Sequence, residues 1–419
     1  MRADVVVVGA GPAGLAAAVR LAEGGRRVRL VARGNGFTHW GAGAVDVLGR
    51  IGEQRVERPL DDLARLPADH PYRLVGAAAL RDGLDWFRGF TAAAGLDHQG
   101  DPERNRGQVT AFGTLRPTCL LPAPAAAELR GRVAVVGVAG FRDFSAALCA
   151  RGLERAGHRV STATVELPPW SHRRYFTAVE LARAFDGQEF RERLAPAVAR
   201  AAAGADVAVL PAVLGLERGH KAWAELQRLV GVPLVEAALA PPSVPGLRLF
   251  AAWRRRLDEL GVGWQLGFPA TGVERDGERV LAVHSEGASR PVTIRCDEVV
   301  LATGGVAGHG IEANRDGSLS EVVAGLPVAG FPDRGGFVAG RFLAAHPIGA
   351  AGVRVDAELR PVGDDGTPLL ANLRCVGGLL AGHDPTMEGS REGVALATAA
   401  RAAATVAAAA PTDQAVPRA

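Results

Sequence analysis

Three glycines near the start of the chain have the spacing of a phosphate cradle: Gly9, Gly11 and Gly14 in Gly9-Ala10-Gly11-Pro12-Ala13-Gly14. A bound pyrophosphate would need something different from each. Gly9 permits the tight turn, Gly11 lets the backbone approach the anion, and Gly14 lets a helix lie close on a strand. The helix N-terminus, with Pro12 and Ala13 in its first turn, would turn its amides toward the negative charge. The spacing alone is a weak signal, and its surroundings make it specific. Val5 to Val8 is a β-branched apolar run, Leu15 to Ala22 reads as a helix, and Arg26 to Ala32 reads as a second strand. The alternative is a glycine-rich strand-to-helix turn that binds nothing.

Two later segments end in the same way. Val299-Val300-Leu301-Ala302-Thr303-Gly304-Gly305 is an apolar strand closing on two glycines, and Asn372-Leu373-Arg374-Cys375-Val376-Gly377-Gly378 is another. Other side chains have the chemistry to act near such a cradle. His39 lies in the glycine-rich connection Arg33 to Gly43 and is a candidate acid or base, as are His383 and Asp384. Arg116, Arg248 and Arg334 are candidate phosphate ligands. Arg391, at the start of the last helix, could meet an anionic ring or simply pair with Glu392 in solvent.

The elements that must position these residues follow from pattern. Ala77 to Gly95 reads as a helix and Val109 to Leu115 as a short strand. A second strand–turn–helix runs from Val133 through Gly137 and Gly140 to a helix at Ser145 to Ala156, followed by a strand at Arg159 to Leu167. It lacks the glycine spacing, so it reads as an α/β substructure of a second domain, with a second nucleotide site as the alternative. Ala178 to Ala203 reads as helical, Ala205 to Leu210 as a buried strand, and Leu247 to Leu260 as a helix whose Arg254-Arg255-Arg256 run faces out. Short strands follow at Val262 to Gln265, Gly272 to Arg275, Val280 to Ser285 and Val292 to Arg295. Gly393 to Ala409 reads as a helix.

Composition bounds the classes. At 419 residues, with 48% hydrophobic and 22% charged, the chain has the make-up of a globular protein large enough for two or three cores. A net charge of +3 leaves no nucleic-acid footprint. Lys221 is the single lysine, so individual arginines carry little weight as functional signals. Cys119, Cys149, Cys296 and Cys375 form no CxxC or metal-ligand spacing and read as reduced, buried thiols of a cytoplasmic protein, with no metal site expected. The first strand opens at once, without a signal-peptide pattern, and charges interrupt every long apolar run.

The order of the three glycine-ended strands resembles that of the two-dinucleotide-binding-domain flavoproteins. The expected fold class is α/β: a discontinuous Rossmann-like FAD/NAD(P)-binding domain with an inserted α/β cap domain. Residues 1–50, 247–305 and 352–410 are assigned to the first, 51–246 to the cap, 306–351 to a loop-rich segment and 411–419 to a disordered tail. The resemblance implies that Thr303 and Gly304 pass near the adenylate and that Gly378 lies against the ribityl chain. It also implies that the Gly393 and Val394 amides point at the flavin ring. Gly34, Gly41, Ala42, Gly43 and Asp384 join the expected cofactor neighbours. Arg33 and Gly378 stand where such flavoproteins commonly carry acids.

Further stretches narrow the resemblance. Ala68-Asp69-His70-Pro71-Tyr72, Gly113-Thr114-Leu115-Arg116, Val135 to Phe144, Leu210-Pro211-Ala212, Pro241 to Leu249 and Gly382-His383-Asp384-Pro385 resemble, in order, the B-subunit of anaerobic glycerol-3-phosphate dehydrogenase. That family implies oxidation of sn-glycerol 3-phosphate to dihydroxyacetone phosphate, with electrons passed to quinone and an anaerobic acceptor such as fumarate. The implied partners are an FAD-containing catalytic subunit and an iron–sulfur membrane-anchor subunit. The implied location is cytoplasmic, peripheral on the inner face of the membrane. The family implies FMN, whereas the opening glycines argue for FAD. Two alternatives stay open: a self-sufficient flavin dehydrogenase on another small acid, or a non-catalytic scaffold for the catalytic partner.

Overall fold

Val5–Val8 is a run of four valines, all buried, and it forms the middle strand of the main sheet. β-branched side chains suit a strand covered on both faces. The computed structural model describes residues 1–167, 175–330 and 336–408. The main sheet is parallel, in the order Gly263–Leu266, Val28–Ala32, Val5–Val8, Glu298–Leu301, Leu373–Cys375. Val8 sits opposite Val31 on one side and Leu301 on the other, so the glycines after Val8 and Leu301 emerge together at one edge.

Helix Pro12–Glu23 follows the first strand, with Pro12 at its first turn and Ala13–Val19 buried. Its stretch Ala13–Val19 is apolar throughout because the helix is covered twice, by the sheet and by the C-terminal helix Arg391–Ala408. Alanines on the last helix allow close approach. It also meets helix Pro71–Ala93, where a Cβ at Gly83 would stand 2.7 Å from the Leu396 carbonyl oxygen. Tyr72, Leu80, Leu84 and Phe87 of that helix share one apolar core with the main sheet.

A second parallel sheet runs Arg159–Val165, Arg132–Val138, Val207–Pro211, Leu234–Ala237 and has its own core, from Val109 to Val244. A three-stranded antiparallel sheet, Ala270–Asp276, Arg279–Ser285 and Val292–Arg295, lies between Gly263–Leu266 and Glu298–Leu301 in the chain. Residues 306–351 hold a hairpin, Ile311–Ala313 with Leu319–Glu321, and short helical turns. Arg334 and residues 411–419 lie outside the described residues.

Two expected elements differ. Val109 to Leu115 is the turn of a hairpin, not a strand: Arg106–Val109 pairs with Leu115–Thr118, and Gly113, at φ 70°, donates its amide to the Thr110 carbonyl at 2.9 Å. Ala178 to Ala203 is two helices, Ala178–Asp186 and Gln188–Ala201, broken at Gly187. The Asp186 carboxylate accepts backbone amides of Leu216, Glu217 and Arg218, which fixes the break against a distant loop. All four cysteines are buried and free. Arg254 and Arg255 face solvent, and Arg256 pairs with Glu23 and Glu259. Among the described residues no helix is long and apolar enough to cross a membrane.

Candidate functional site

The strand ends of the main sheet open into a cavity of about 940 Å³. Parallel strands place such a crevice at their carboxyl ends, where the following loops diverge. Gly9, Gly11, Pro12 and Ala13 line it from the first strand, Arg33 and Gly34 from the second, and Thr303, Gly304 and Gly378 from the fourth and fifth. His39, Asp384 and Arg391 line it as well, so most of the expected cofactor residues come together.

The cradle fits a pyrophosphate-bearing flavin. Gly9 has φ 115°, and a Cβ on it would stand 2.2 Å from the Ala302 carbonyl oxygen, so the turn admits only glycine. A Cβ at Gly14 would meet the Gly9 oxygen at 1.9 Å, which is the close strand–helix packing expected of that position. Cβ atoms on Gly11 and Gly34 would meet nothing within 4 Å. Both glycines line the cavity, and side chains there would take space from an anion. The first-turn amides of helix Pro12–Glu23 have no intrahelical acceptors, and no side chain caps this helix. Thr303 Oγ1 is shielded, lines the same cavity, and has no hydrogen-bond partner among the described residues. Arg33 is exposed at the end of the second strand, in the place where an acid commonly meets the adenosine ribose.

Other expected residues stand elsewhere. Gly393 and Val394 do not line the cavity, because the Gly393 amide donates to the Asp46 carbonyl at 2.9 Å and the Val394 amide to the Ser390 carbonyl. The last helix begins two residues earlier than read from sequence, at Arg391, and Gly393 packs against Val47 and the Tyr72 hydroxyl. Gly41 and Gly43 line a smaller neighbouring pocket, and Ala42 lies between them on the same loop. Arg116 is outside the cavity, 3.2 Å from the Asp46 carboxylate and bonded to Gln108. Arg248 is not a free phosphate ligand: it is buried, pairs with Glu236 at 2.7 Å, and donates to the Gly215 carbonyl.

The far end of the cavity is aromatic and cationic. Arg391 places its guanidinium over the Phe37 ring and donates to Thr386 Oγ1 at 3.2 Å. His39 has Nδ1 3.0 Å from the Gly36 carbonyl, with its ring 4.8 Å from Trp40. Asp384 accepts the amides of Thr386 and Met387 and so shapes the loop that delivers Arg391. Beneath that loop, Glu388 accepts from His70, Ser390 and the Asp384 amide. Burial alone would raise the Glu388 pKa, but the His70 hydrogen bond and the nearby imidazoles outweigh it and hold the carboxyl low. Burial pushes His383 down to about 4, so it is neutral at ordinary pH. Asp46 is raised by burial against the pull of Arg116, and Glu392 is raised by burial and then by Asp46.

Sequence reading missed Phe37, Trp40, Thr271 and Ile348 as lining residues. The exposed aromatics of the Arg33–Gly43 connection are the one signal that could have found the first two. One of the two sequence readings of Arg391 made Glu392 a solvated partner, whereas Glu392 lines the smaller pocket and its carboxyl is raised by burial and by Asp46.

Fold and site together define an FAD-binding-domain flavoprotein, and the family model described as FAD binding domain matches residues 4–394. The curated relatives are more particular. The anaerobic glycerol-3-phosphate dehydrogenase B-subunit of Yersinia pestis bv. Antiqua is 32% identical over 414 residues, 95% of this chain and 96% of its own. The protein of the same name from Vibrio cholerae serotype O1 is 32% identical over 420 residues, 95% of each. The chain belongs to the family of anaerobic glycerol-3-phosphate dehydrogenase B-subunits. Among solved structures, the 3-ketosteroid delta1-dehydrogenase of Sterolibacterium denitrificans covers 97% of this chain and 99% of its own, at a TM-score of 0.47 and 12% identity.

Proposed function

We infer that this chain is the flavin-carrying subunit of a glycerol-3-phosphate dehydrogenase complex and supports oxidation of sn-glycerol 3-phosphate to dihydroxyacetone phosphate. The observation that carries the reading is the joint one of a full-length B-subunit relative and a cavity built on Gly9, Gly11 and Thr303. A flavin bound there supplies two-electron oxidation. The chain's residues do the rest. The Gly9–Gly14 turn would hold the pyrophosphate on backbone amides, and Thr303 Oγ1 would offer a hydrogen bond to the cofactor. Arg391 would set a positive charge beside the flavin ring and so favour its negatively charged form.

FAD is the form proposed. The cavity extends past the cradle to Arg33, Pro269 and Thr271, space that FMN would leave unfilled. Electrons pass to quinone through partners: an FAD-containing catalytic subunit, and an iron–sulfur subunit that anchors the assembly on the inner face of the membrane. The test is anaerobic. The complex purified with this chain bleaches its flavin on adding sn-glycerol 3-phosphate, and an unchanged spectrum overturns the reading. A non-catalytic scaffold is favoured by one observation, the lack of acids at Arg33 and Gly378. Colourless purified protein would decide for it.

A further inference from the structure

Three loops meet on one wall of the main cavity. The loop 36–41 reaches the loop 384–391 through Arg391, which lies over the Phe37 ring and donates to Thr386 Oγ1. The loop 336–349 reaches it through Gly349, where a Cβ would stand 2.5 Å from the Asp384 carboxylate. Trp40, Thr386 and Gly349 line the cavity and are exposed, so the cavity opens to solvent between these loops. Each loop also holds large apolar side chains in water: Phe37 and Trp40 on the first, Met387 on the second, and Val338, Phe342 and Leu343 on the third. Phe342 and Leu343 are 90% and 86% exposed. Such side chains scattered singly are ordinary, whereas a group of them around one opening marks a contact surface.

The third loop is held in shape by its own polar groups. His346 accepts the Ala339 amide at Nδ1, 2.9 Å away, so its Nε2 carries the hydrogen and donates to the Phe342 carbonyl, also at 2.9 Å. The Ala344 amide donates to the Arg341 carbonyl, and the Ile348 amide to the Phe337 carbonyl. The backbone of Phe342 is thus tied into the loop while its ring stands in water. Covering that ring by a partner gains the apolar stabilisation that folding of this chain does not supply. The free charge on the three loops is positive. Arg341 is exposed and Arg391 partly so. The carboxylates are engaged within the chain: Asp384 accepts the amides of Thr386 and Met387, and Glu388 accepts from His70 and Ser390.

We propose that this rim is the docking face for the iron–sulfur partner, which seats an apolar surface on Phe342 and Leu343 and brings a cluster to the opening of the cavity. The proposal rests on the reading of this chain as the flavin-carrying subunit of a complex. An iron–sulfur cluster held by thiolates is anionic, so it complements an opening edged by Arg341 and Arg391. The same edge disfavours other occupants. A second copy of this chain would set like charges face to face. The catalytic partner binds a phosphate ester and needs cations at its own site. A lipid surface matches the charge but is too flat to cover the recess between the loops. With the rim covered, the reduced flavin would give up its two electrons one at a time to the oxidised cluster, which passes each on toward quinone, and its protons would go to water.

The test measures binding of the purified iron–sulfur subunit to the flavin-loaded chain by calorimetry, at low and at high salt. The variants are Phe342→Ser with Leu343→Ser, Arg341→Glu, and, as a control, Phe112→Ser with Leu148→Ser, two exposed apolar residues that do not line the cavity. Flavin content and melting curves establish that each variant folds. Expected for the Phe342 and Leu343 variant are normal flavin content and a dissociation constant raised at least about thirtyfold. Arg341→Glu raises it about tenfold at low salt and less at high salt. The control binds as wild type. Unchanged affinity in the Phe342 and Leu343 variant overturns the proposal, and so does equal weakening by the control. The proposal also falls if that variant keeps the iron–sulfur subunit and loses something else: the catalytic subunit, self-association, or binding to vesicles of phosphatidylglycerol and phosphatidylcholine. Wild type that binds neither partner subunit overturns the complex reading itself, and the docking face with it.

Discussion

The guanidinium carbon of Arg391 stands 3.9 Å from the centre of the Phe37 ring, so the first residue of the last helix closes over the loop that follows the second strand. These two elements, over 350 positions apart in the chain, meet only because helices Pro12–Glu23 and Arg391–Ala408 pack together on the sheet. The contact puts a fixed positive charge on the wall of the main cavity, at the end proposed above for the flavin ring. Replacing Arg391 by Met removes the charge and keeps much of the stem. The flavin midpoint potential then falls by about 30 mV, the equivalent of about 1.4 kcal/mol for a two-electron couple. An unchanged potential in a redox titration would remove Arg391 from the ring end.

The two glycines of the cradle separate loading from folding. Gly11 has open space where a Cβ would stand, whereas a Cβ at Gly14 strikes the Gly9 oxygen. Gly11→Val is expected to cut bound flavin more than tenfold while thermal unfolding moves little. Gly14→Val costs about 1–3 kcal/mol of stability by overpacking. Flavin absorbance per mole of protein, read beside a melting curve, checks both.

In the proposed FAD site, Arg33 stands where an acid would accept from the adenosine ribose. Arg33→Glu restores a carboxylate there, and a charged hydrogen bond contributes about 1.5–3 kcal/mol. FAD affinity of the stripped protein is expected to rise about tenfold, with FMN affinity unmoved. Equal gains for both flavins in a fluorescence-quenching titration would place Arg33 away from the adenosine end.

The buried pair Glu236–Arg248 holds the second sheet to helix Val244–Glu259. Truncating one partner strands the other charge, so Glu236→Leu costs about 3–5 kcal/mol. Replacing both by Leu and Met costs less than either single change. Denaturant unfolding of the four proteins of the cycle gives the coupling directly.

His383 sets part of the acid response. Burial lowers its pKa to about 4 from an ordinary 6.5, so above pH 6.5 neither the folded nor the unfolded form carries the proton. As the pH falls from 6.5 toward 4 the unfolded chain takes up a proton that the folded chain refuses, and stability falls by about 3 kcal/mol. His220, lowered to about 3 chiefly by burial, acts in the same direction. His383→Phe is expected to flatten the stability slope across that window in denaturation at stepped pH. An unchanged slope would assign the acid response to other groups.

The main sheet was legible because its strands are apolar runs that end in glycines, and Val8, Leu301 and Cys375 lie side by side at that edge. Gly9, Gly11 and Gly14 were readable for the same reason: each has a backbone requirement that leaves a mark on residue type. The roles of Gly393 and Glu392 were not readable. Each depends on Asp46, a residue over 340 positions away, and on a helix start set by tertiary contact rather than by local propensity. Arg248 misled because a buried arginine and a phosphate-binding one look alike in sequence, and only Glu236 across the fold distinguishes them. The hairpin around Gly113 was hidden by apolar residues on either side of its turn.

The most direct measurement is the identity and response of the bound flavin. Separating the components of the purified complex, denaturing each and weighing the released cofactor should yield FAD, near one per copy of this chain. The same preparation should bleach anaerobically with sn-glycerol 3-phosphate. A chain that releases FMN or no flavin would contradict the account of the cavity built on Gly9, Gly11, Arg33 and Thr303.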